Sequence, residues 1–204
     1  VLFYLMESSN PGTMEALSFK GKILASLFQS VTPRTAGFNT IDLAAMENSS
    51  KLLTIVLMFI GGSPASTAGG IKTSTLAILI LAVRTLIVGK DNVEIFGRRI
   101  SYSAVNKSLA VVFIGIFVVI GGAMVLSLTE PSRDFFYILF EVVSAFGTVG
   151  LSLGITPLLS DIGKVIIIFI MFIGRVGSLT ILLALASNEK KSLYHYPEEK
   201  VIVG

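Results

Sequence analysis

The chain has 204 residues, of which 53% are apolar and 14% charged, with a formal net charge of +3, no Cys and one His. That balance lies outside ordinary soluble domains and belongs in a bilayer. The lack of Cys excludes disulfide frameworks and thiol nucleophiles, the single His195 leaves little room for histidine catalysis or a histidine metal cluster, and the small net charge gives no reason to expect a nucleic-acid partner.

Residues 1–5 are apolar from the start and read as the tail of a membrane helix, without the basic segment and cleavage site of a secretory signal. Phe19–Val31, thirteen residues, is apolar enough to bury but short of the ~20 residues that cross a hydrocarbon core. It leads into Thr35-Ala36-Gly37. Residues 51–88 hold two mainly apolar stretches, 52–60 and 71–88, on either side of Gly61-Gly62-Ser63-Pro64-Ala65-Ser66-Thr67-Ala68-Gly69-Gly70. Each Gly costs ~1 kcal/mol and Pro ~3 in a helix relative to Ala, so the pattern predicts helices over 52–60 and 71–88 with a break inside the membrane. Val93-Glu94-Ile95-Phe96-Gly97-Arg98-Arg99-Ile100 reads as a small hairpin. Residues 109–128 form an unbroken uncharged run and predict a spanning helix. Phe135–Phe146, twelve residues, is a second short apolar segment and leads into Thr148-Val149-Gly150. Residues 165–186 make a further long run with one charge, Arg175, near its midpoint.

A short helix that enters, turns and leaves on the same side fits the two short segments. Non-helical backbone at membrane depth survives only inside protein or against a watery cavity, because lipid cannot satisfy its polar groups. With both loops on one side, that side holds Lys20, Lys22, Arg34, Lys51, Arg133 and Lys164. The other holds Arg84, Lys90, Arg98, Arg99, Lys107, Lys190, Lys191 and Lys200. Eight basic residues against six lean toward a cytoplasmic location for the second set and for the C-terminus.

The two halves repeat. Thr35-Ala36-Gly37 and Thr148-Val149-Gly150 are offset by 113 residues, and Met58-Phe59-Ile60-Gly61 recurs as Met171-Phe172-Ile173-Gly174 at the same offset. Each unit reads as short helix, Thr-x-Gly loop, connection, long helix.

An alkali cation that leaves water needs oxygen ligands in place of its hydration shell, and rings of backbone carbonyls supply them. Gly37 and Gly150 suit such a loop because Gly enters left-handed conformations cheaply. The C-terminal end of each short helix adds about half an elementary negative charge. The same tripeptide also serves as a plain turn. The Gly-rich break reads either as a movable segment, with Ser63, Ser66 and Thr67 tolerating a wet cavity, or as a kink for tight packing. Gly70-Ile71-Lys72 lacks the contiguous Gly-Lys-Ser/Thr of a nucleotide-binding loop. Arg175 aligns with Gly62 under the 113-residue offset, and an Arg at membrane depth, costing at least ~2.5 kcal/mol, faces a bundle interior or a watery path. It is expected to cap loop carbonyls or repel cations. Lys72 reads as a snorkelling lysine, with a pore-lining carbonyl as the alternative partner. Glu141 is expected to accept hydrogen bonds that brace the second loop, and His195 reads as a surface or dimer-contact residue. With no paired carboxylates in the membrane, no metal cluster and no nucleophile beside a base, an enzyme is not expected.

Residues 35–39 (Thr-Ala-Gly-Phe-Asn), 61–72 (Gly-Gly-Ser-Pro-Ala-Ser-Thr-Ala-Gly-Gly-Ile-Lys), 146–152 (Phe-Gly-Thr-Val-Gly-Leu-Ser) and 173–177 (Ile-Gly-Arg-Val-Gly) strongly resemble the Trk/Ktr/HKT superfamily of K⁺ transporters. The ending Tyr196-Pro197-Glu198-Glu199-Lys200-Val201-Ile202-Val203-Gly204 is similar to the bacterial Ktr branch. The resemblance implies an all-α membrane protein of K⁺-channel-like architecture, with four helix, re-entrant pore loop, helix units around one ion path. Residues 1–100 are then expected to be the third pore repeat, its first helix nearly absent, with a cytoplasmic hairpin. Residues 101–204 are expected to be the fourth repeat and a cytoplasmic C-terminal tail. The filter ligands implied are mainly the backbone carbonyls of Thr35, Ala36, Gly37 and Phe38, and of Thr148, Val149, Gly150 and Leu151. The gate implied is an intramembrane loop with Gly61, Gly62, Ser63, Ser66, Thr67, Gly69 and Gly70, held closed by Arg175. K⁺ would be the substrate and Na⁺ an activator. A nucleotide would act only through a cytoplasmic nucleotide-binding regulatory ring, which the hairpin could touch, and the membrane subunit would pair as a homodimer in the plasma membrane. The alternative is a secondary transporter whose broken helix binds an anionic substrate group at a half-helix N-terminus.

Overall fold

In the computed structural model, residues 1–90 and 92–177 are described. They form α1 (Leu2–Glu7), α2 (Phe19–Val31), α3 (Asn48–Phe59), α4 (Thr73–Val88), a two-stranded hairpin β1 (Glu94–Ile95) and β2 (Arg98–Arg99), α5 (Tyr102–Thr129), α6 (Phe135–Phe146), a 3₁₀ turn (Thr156–Leu158) and α7 (Asp161–Val176). The strands pair antiparallel with Glu94 opposite Arg99 and Ile95 opposite Arg98, which is the hairpin read from the sequence. His195, residues 196–204 and the end of the 165–186 run lie outside the described residues.

Helix boundaries follow capping chemistry. Ser18, Ser101 and Ser160 accept from the backbone N–H of Gly21, Ala104 and Gly163, and Asp134 accepts from that of Phe136. These caps explain why α5 begins seven residues ahead of the uncharged run and α7 four ahead of its own, since their first turns are polar yet well started. α5 has 28 residues and a mean hydropathy of 2.9 over its most apolar window, and is the one helix among the described residues long enough to span. The helix expected over 71–88 starts two residues later, because Ile71 is drawn into a parallel bridge with Ile60.

The short helix α6 is the centre of the molecule. Ile138, Phe140, Val142, Val143 and Phe146 are buried, and α3, α5 and α7 all pack against it. The Phe146 ring stacks on Phe59 at the end of α3, with centroids 5.8 Å apart. A Cβ on Gly174 of α7 would lie 2.0 Å from the Phe146 carbonyl oxygen, so α7 touches the C-terminal end of α6 through bare backbone. Replacing Gly174 by Ala therefore forces α7 off α6. The expected loss for the intact protein is about 1–3 kcal/mol, the usual range for overpacking. It is checked by thermal melting in detergent, where an unchanged midpoint would contradict this contact.

Two carboxylates tie helix ends together in the same way in both halves. The Glu130 carboxylate, just beyond α5, accepts the N–H of Ser160 at 2.7 Å. That of Glu7, at the end of α1, accepts the N–H of Glu47 at 2.9 Å. Glu47 and Ser160 are the N-caps of α3 and α7 and stand 113 residues apart. Each acid thus satisfies a helix N-terminus, where negative charge is favoured. Hydrogen bonds from the Ser160 side chain and backbone hold the Glu130 carboxyl below its ordinary value of 4.5, helped by the charges of Arg133 and Lys164. A carboxyl with a lowered folded pKa contributes stability above its unfolded value, and that contribution is lost as pH falls through the folded one. Glu130→Gln is accordingly expected to lower the melting temperature at neutral pH and to flatten its decline below about 4.5. An identical acid limb in mutant and parent would count against the Ser160 tie.

Candidate functional site

Both Thr-x-Gly loops leave the C-terminal ends of short helices. After α2, the Ala36 N–H bonds the Thr32 carbonyl at 3.1 Å; after α6, the N–H groups of Gly147, Thr148 and Val149 bond Val143, Ala145 and Ser144 at 2.8, 3.0 and 2.9 Å. Then the backbone turns left-handed at matching positions: Thr35 at φ 66° and Gly37 at φ 76°, Thr148 at φ 52° and Gly150 at φ 86°. Sequence reasoning assigned this conformation to the glycines alone. A β-branched Thr there costs about 1–3 kcal/mol, and such strain persists only where surrounding structure enforces it. Its recurrence at the 113-residue offset makes it a property of the unit.

The loops meet. A Cβ on Gly37 would lie 2.4 Å from the Val149 carbonyl oxygen, so Gly is the residue that lets the first loop approach the second. Around Gly150 the space is open: nothing lies within 4 Å of where its Cβ would be. It borders a cavity of about 390 Å³, lined also by Thr148, Val149, Leu151, Glu141 and Arg175.

At the fourth position the loops differ. The Phe38 carbonyl accepts the Thr32 hydroxyl and is thereby turned back toward its own short helix. Its ring is 71% exposed, whereas Leu151 is 3% exposed. The position matching Thr32 is Ala145, and there the bracing comes from Glu141 instead. This carboxylate, 6% exposed, accepts the Ser152 hydroxyl at 2.7 Å and the Thr156 hydroxyl as well. Glu141 therefore makes the hydrogen bonds expected of it.

The Gly-rich break follows the first loop's long helix. α3 stops at Phe59 and α4 starts at Thr73; the arms between are clipped by Ile71 N–H to Phe59 carbonyl and Thr73 N–H to Gly62 carbonyl, each 3.1 Å. Gly61 lies against the Gly69 carbonyl, where a Cβ would sit 2.1 Å away. Ser63, Ser66 and Thr67 are exposed at the tip, where Ala65 is left-handed at φ 63° and Ser66 bonds Ser63 through backbone and hydroxyl.

Three consecutive tip carbonyls are held by cations. Arg175 of α7 donates to the Thr67 carbonyl, and Lys72 Nζ donates to those of Ser66, at 3.2 Å, and Ala68. Capping was expected of Arg175. For Lys72 the snorkelling expectation is overturned: the break folds the chain back so that unpaired carbonyls lie four and six residues before it, within reach of its three donors. The far arm is tied to the second loop, with the Gly69 N–H donating to Thr148 Oγ1 at 3.0 Å. The three segments expected to hold filter and gate thus touch one another, through Gly37 on Val149, Gly69 on Thr148 and Thr67 on Arg175, while the Phe38 carbonyl is engaged by Thr32. Sequence reasoning missed Thr32, the Thr148 hydroxyl and the role of Lys72.

Short apolar helices, loops that meet at their ends and a broken helix packed against them, beside a helix long and apolar enough to span, define an all-α membrane protein. The chain belongs to the TrkH family of cation transport proteins, which it matches over residues 1–196. It is 45% identical over 201 residues to Ktr system potassium uptake protein B of Bacillus subtilis, covering 98% of this chain and 45% of that protein. It is 44% identical over 204 residues to the protein of the same name from Vibrio alginolyticus, covering 100% of this chain and 44% of that one. Against potassium/sodium uptake protein NtpJ of Enterococcus hirae it is 42% identical over 208 residues, covering 100% and 46%. The crystal structure of the potassium transporter TrkH from Vibrio parahaemolyticus superposes with a TM-score of 0.74 at 23% identity, over 90% of this chain and 41% of that one, which shows the shared fold. The chain spans just under half the length of these relatives.

Proposed function

We propose that this chain forms half of a K⁺ uptake path: Thr35, Ala36 and Gly37 with Thr148, Val149, Gly150 and Leu151 are two of its filter strands, and residues 61–70 are the gate below them. The observation that carries the reading is the contact of two strained Thr-x-Gly loops at the C-terminal ends of short apolar helices, Gly37 against the Val149 carbonyl. Helix C-termini favour a cation there by charge, and backbone carbonyls favour a dehydrated one by geometry. Potassium appears in the names of the relatives from B. subtilis, E. hirae and V. alginolyticus. Residues 1–100 serve as the third and 101–204 as the fourth of four pore units, and the other two come from the rest of the full-length protein. K⁺ is cargo in this reading and no catalytic step is involved; Na⁺ acts as an activator.

Arg175 is the latch. It pins the Thr67 carbonyl while placing a positive charge below the filter. Partners follow from the same reading: a second copy of the membrane subunit, and a cytoplasmic nucleotide-binding ring at the end that carries the β1–β2 hairpin and the C-terminus, in a bacterial plasma membrane. The alternative of an anionic substrate at the broken helix has no comparable support, since the loop groups turned to its cations are its own carbonyls.

The test is K⁺ uptake by the full-length protein in K⁺-transport-deficient cells. Gly150→Ser is expected to abolish discrimination of K⁺ from Na⁺, because a side chain at φ 86° strains the strand's backbone and projects into the open space beside it. Selectivity equal to wild type would remove the filter assignment. Arg175→Ala is expected to raise K⁺ flux several-fold; unchanged or lower flux with normal membrane insertion would remove the latch.

A further inference from the structure

The Thr148 side chain belongs to two parts of the machine at once. Its backbone lies in the second Thr-x-Gly loop, while its hydroxyl oxygen accepts the N–H of Gly69 at 3.0 Å, across 79 residues of sequence. The fit is close: a Cβ on Gly69 would lie 2.6 Å from both the hydroxyl and the methyl of Thr148. At the next residue, Gly70, a Cβ would lie 3.1 Å from the Phe59 carbonyl oxygen and 3.4 Å from both the Met58 carbonyl oxygen and the Gly147 Cα. The far arm of the loop therefore cannot move away without parting from Thr148. Thr35, the matching residue of the first loop, has no such bond to residues 61–70 among those described, so the tie belongs to the second unit alone.

We propose that Thr148 couples gate to filter: its hydroxyl is shared between the Gly69 N–H in the closed loop and a K⁺ ion at the inner end of the filter. This rests on the filter and gate reading above. A hydroxyl oxygen has two lone pairs, but the positive end of an N–H dipole and a cation drawn to the same oxygen repel one another, so K⁺ bound there weakens the bond from the amide. The two demands compete for one oxygen on a residue whose strained backbone fixes where its side chain starts. K⁺ that draws this oxygen weakens the bond to Gly69 and favours release of the loop. By linkage, release of the loop raises the affinity of that position for K⁺ to the same degree. Thr148 is here a positioning residue for the gate as well as part of the filter strand.

The experiment follows loop exposure rather than flux. In the full-length protein, with any cysteines outside these 204 residues replaced and reconstituted in liposomes, Ser66→Cys places a thiol on the exposed loop tip, and its reaction rate with a water-soluble maleimide is measured in K⁺ and in N-methylglucamine. K⁺ is expected to raise the rate threefold or more. Adding Thr148→Val, which keeps the shape and removes the hydroxyl, is expected to make the rate the same in both salts; Thr148→Ser, which keeps the hydroxyl, restores the K⁺ effect. A K⁺ effect that survives in Thr148→Val overturns the coupling. So does a rate indifferent to K⁺ with Thr148 intact when Gly150→Ser still alters selectivity, since the filter reading then stands without it. If Gly150→Ser leaves selectivity untouched, the filter reading itself has failed.

Discussion

Irregular backbone at membrane depth is the constraint from which the rest of this structure follows. Each unpaired N–H or C=O in hydrocarbon costs several kcal/mol, so a loop there must find partners within the protein. Among the described residues, three irregular segments lead out of apolar helices, residues 32–39, 60–72 and 147–152, and each finds its partners by a different device. The first uses the Thr32 hydroxyl on the Phe38 carbonyl. The second uses Lys72 and Arg175 on its tip carbonyls and Thr148 on its far arm. The third is braced by Glu141 through Ser152 and Thr156. Close backbone approach completes the arrangement, through Gly37 on Val149, Gly61 on Gly69 and Gly174 on Phe146.

The 113-residue repeat is kept where it sets the frame and dropped where it sets chemistry. Left-handed Thr and Gly recur in both loops, as do the carboxylate ties of Glu7 to Glu47 and Glu130 to Ser160. By contrast, Thr32 stands where the second unit has Ala145, and Glu141 where the first has Phe28. Gly62 likewise matches Arg175, so one half offers a flexible break at the depth where the other offers a fixed charge. The repeated scaffold thus differs between its halves at the positions that brace the loops.

What the sequence made legible is set by range. The short helices Phe19–Val31 and Phe135–Phe146 were read with their observed bounds because a dozen apolar residues between polar flanks is a local signal. The break after Phe59 was legible for the same reason, through Gly and Pro. The Thr148 to Gly69 and Arg175 to Thr67 bonds span 79 and 108 residues, and the Glu7 and Glu130 ties 40 and 30. No local pattern encodes such pairings. For Arg175 the cost of a charge in the membrane was enough to demand a partner, though not to name it. Lys72 was misread because its carbonyl partners exist only once the helix has broken. Left-handed Thr was missed because propensity argues against it, which is where tertiary structure overrides local preference.

The three carbonyls at the loop tip are chemically what a dehydrated cation seeks, yet Lys72 and Arg175 occupy them. A carbonyl engaged by an ammonium or guanidinium is a poorer ligand for K⁺, and the same two groups repel it: a unit charge at 4 Å is worth about 4 kcal/mol at an effective dielectric constant of 20. If the loop is the gate, obstruction and electrostatic exclusion are therefore a single state held by the same hydrogen bonds. Withdrawing the two cations would remove the repulsion and expose oxygens in one step. The opened passage would then offer K⁺ ligands below the filter as well as within it, and the Thr148 hydroxyl, released from Gly69, would lie between the two sets.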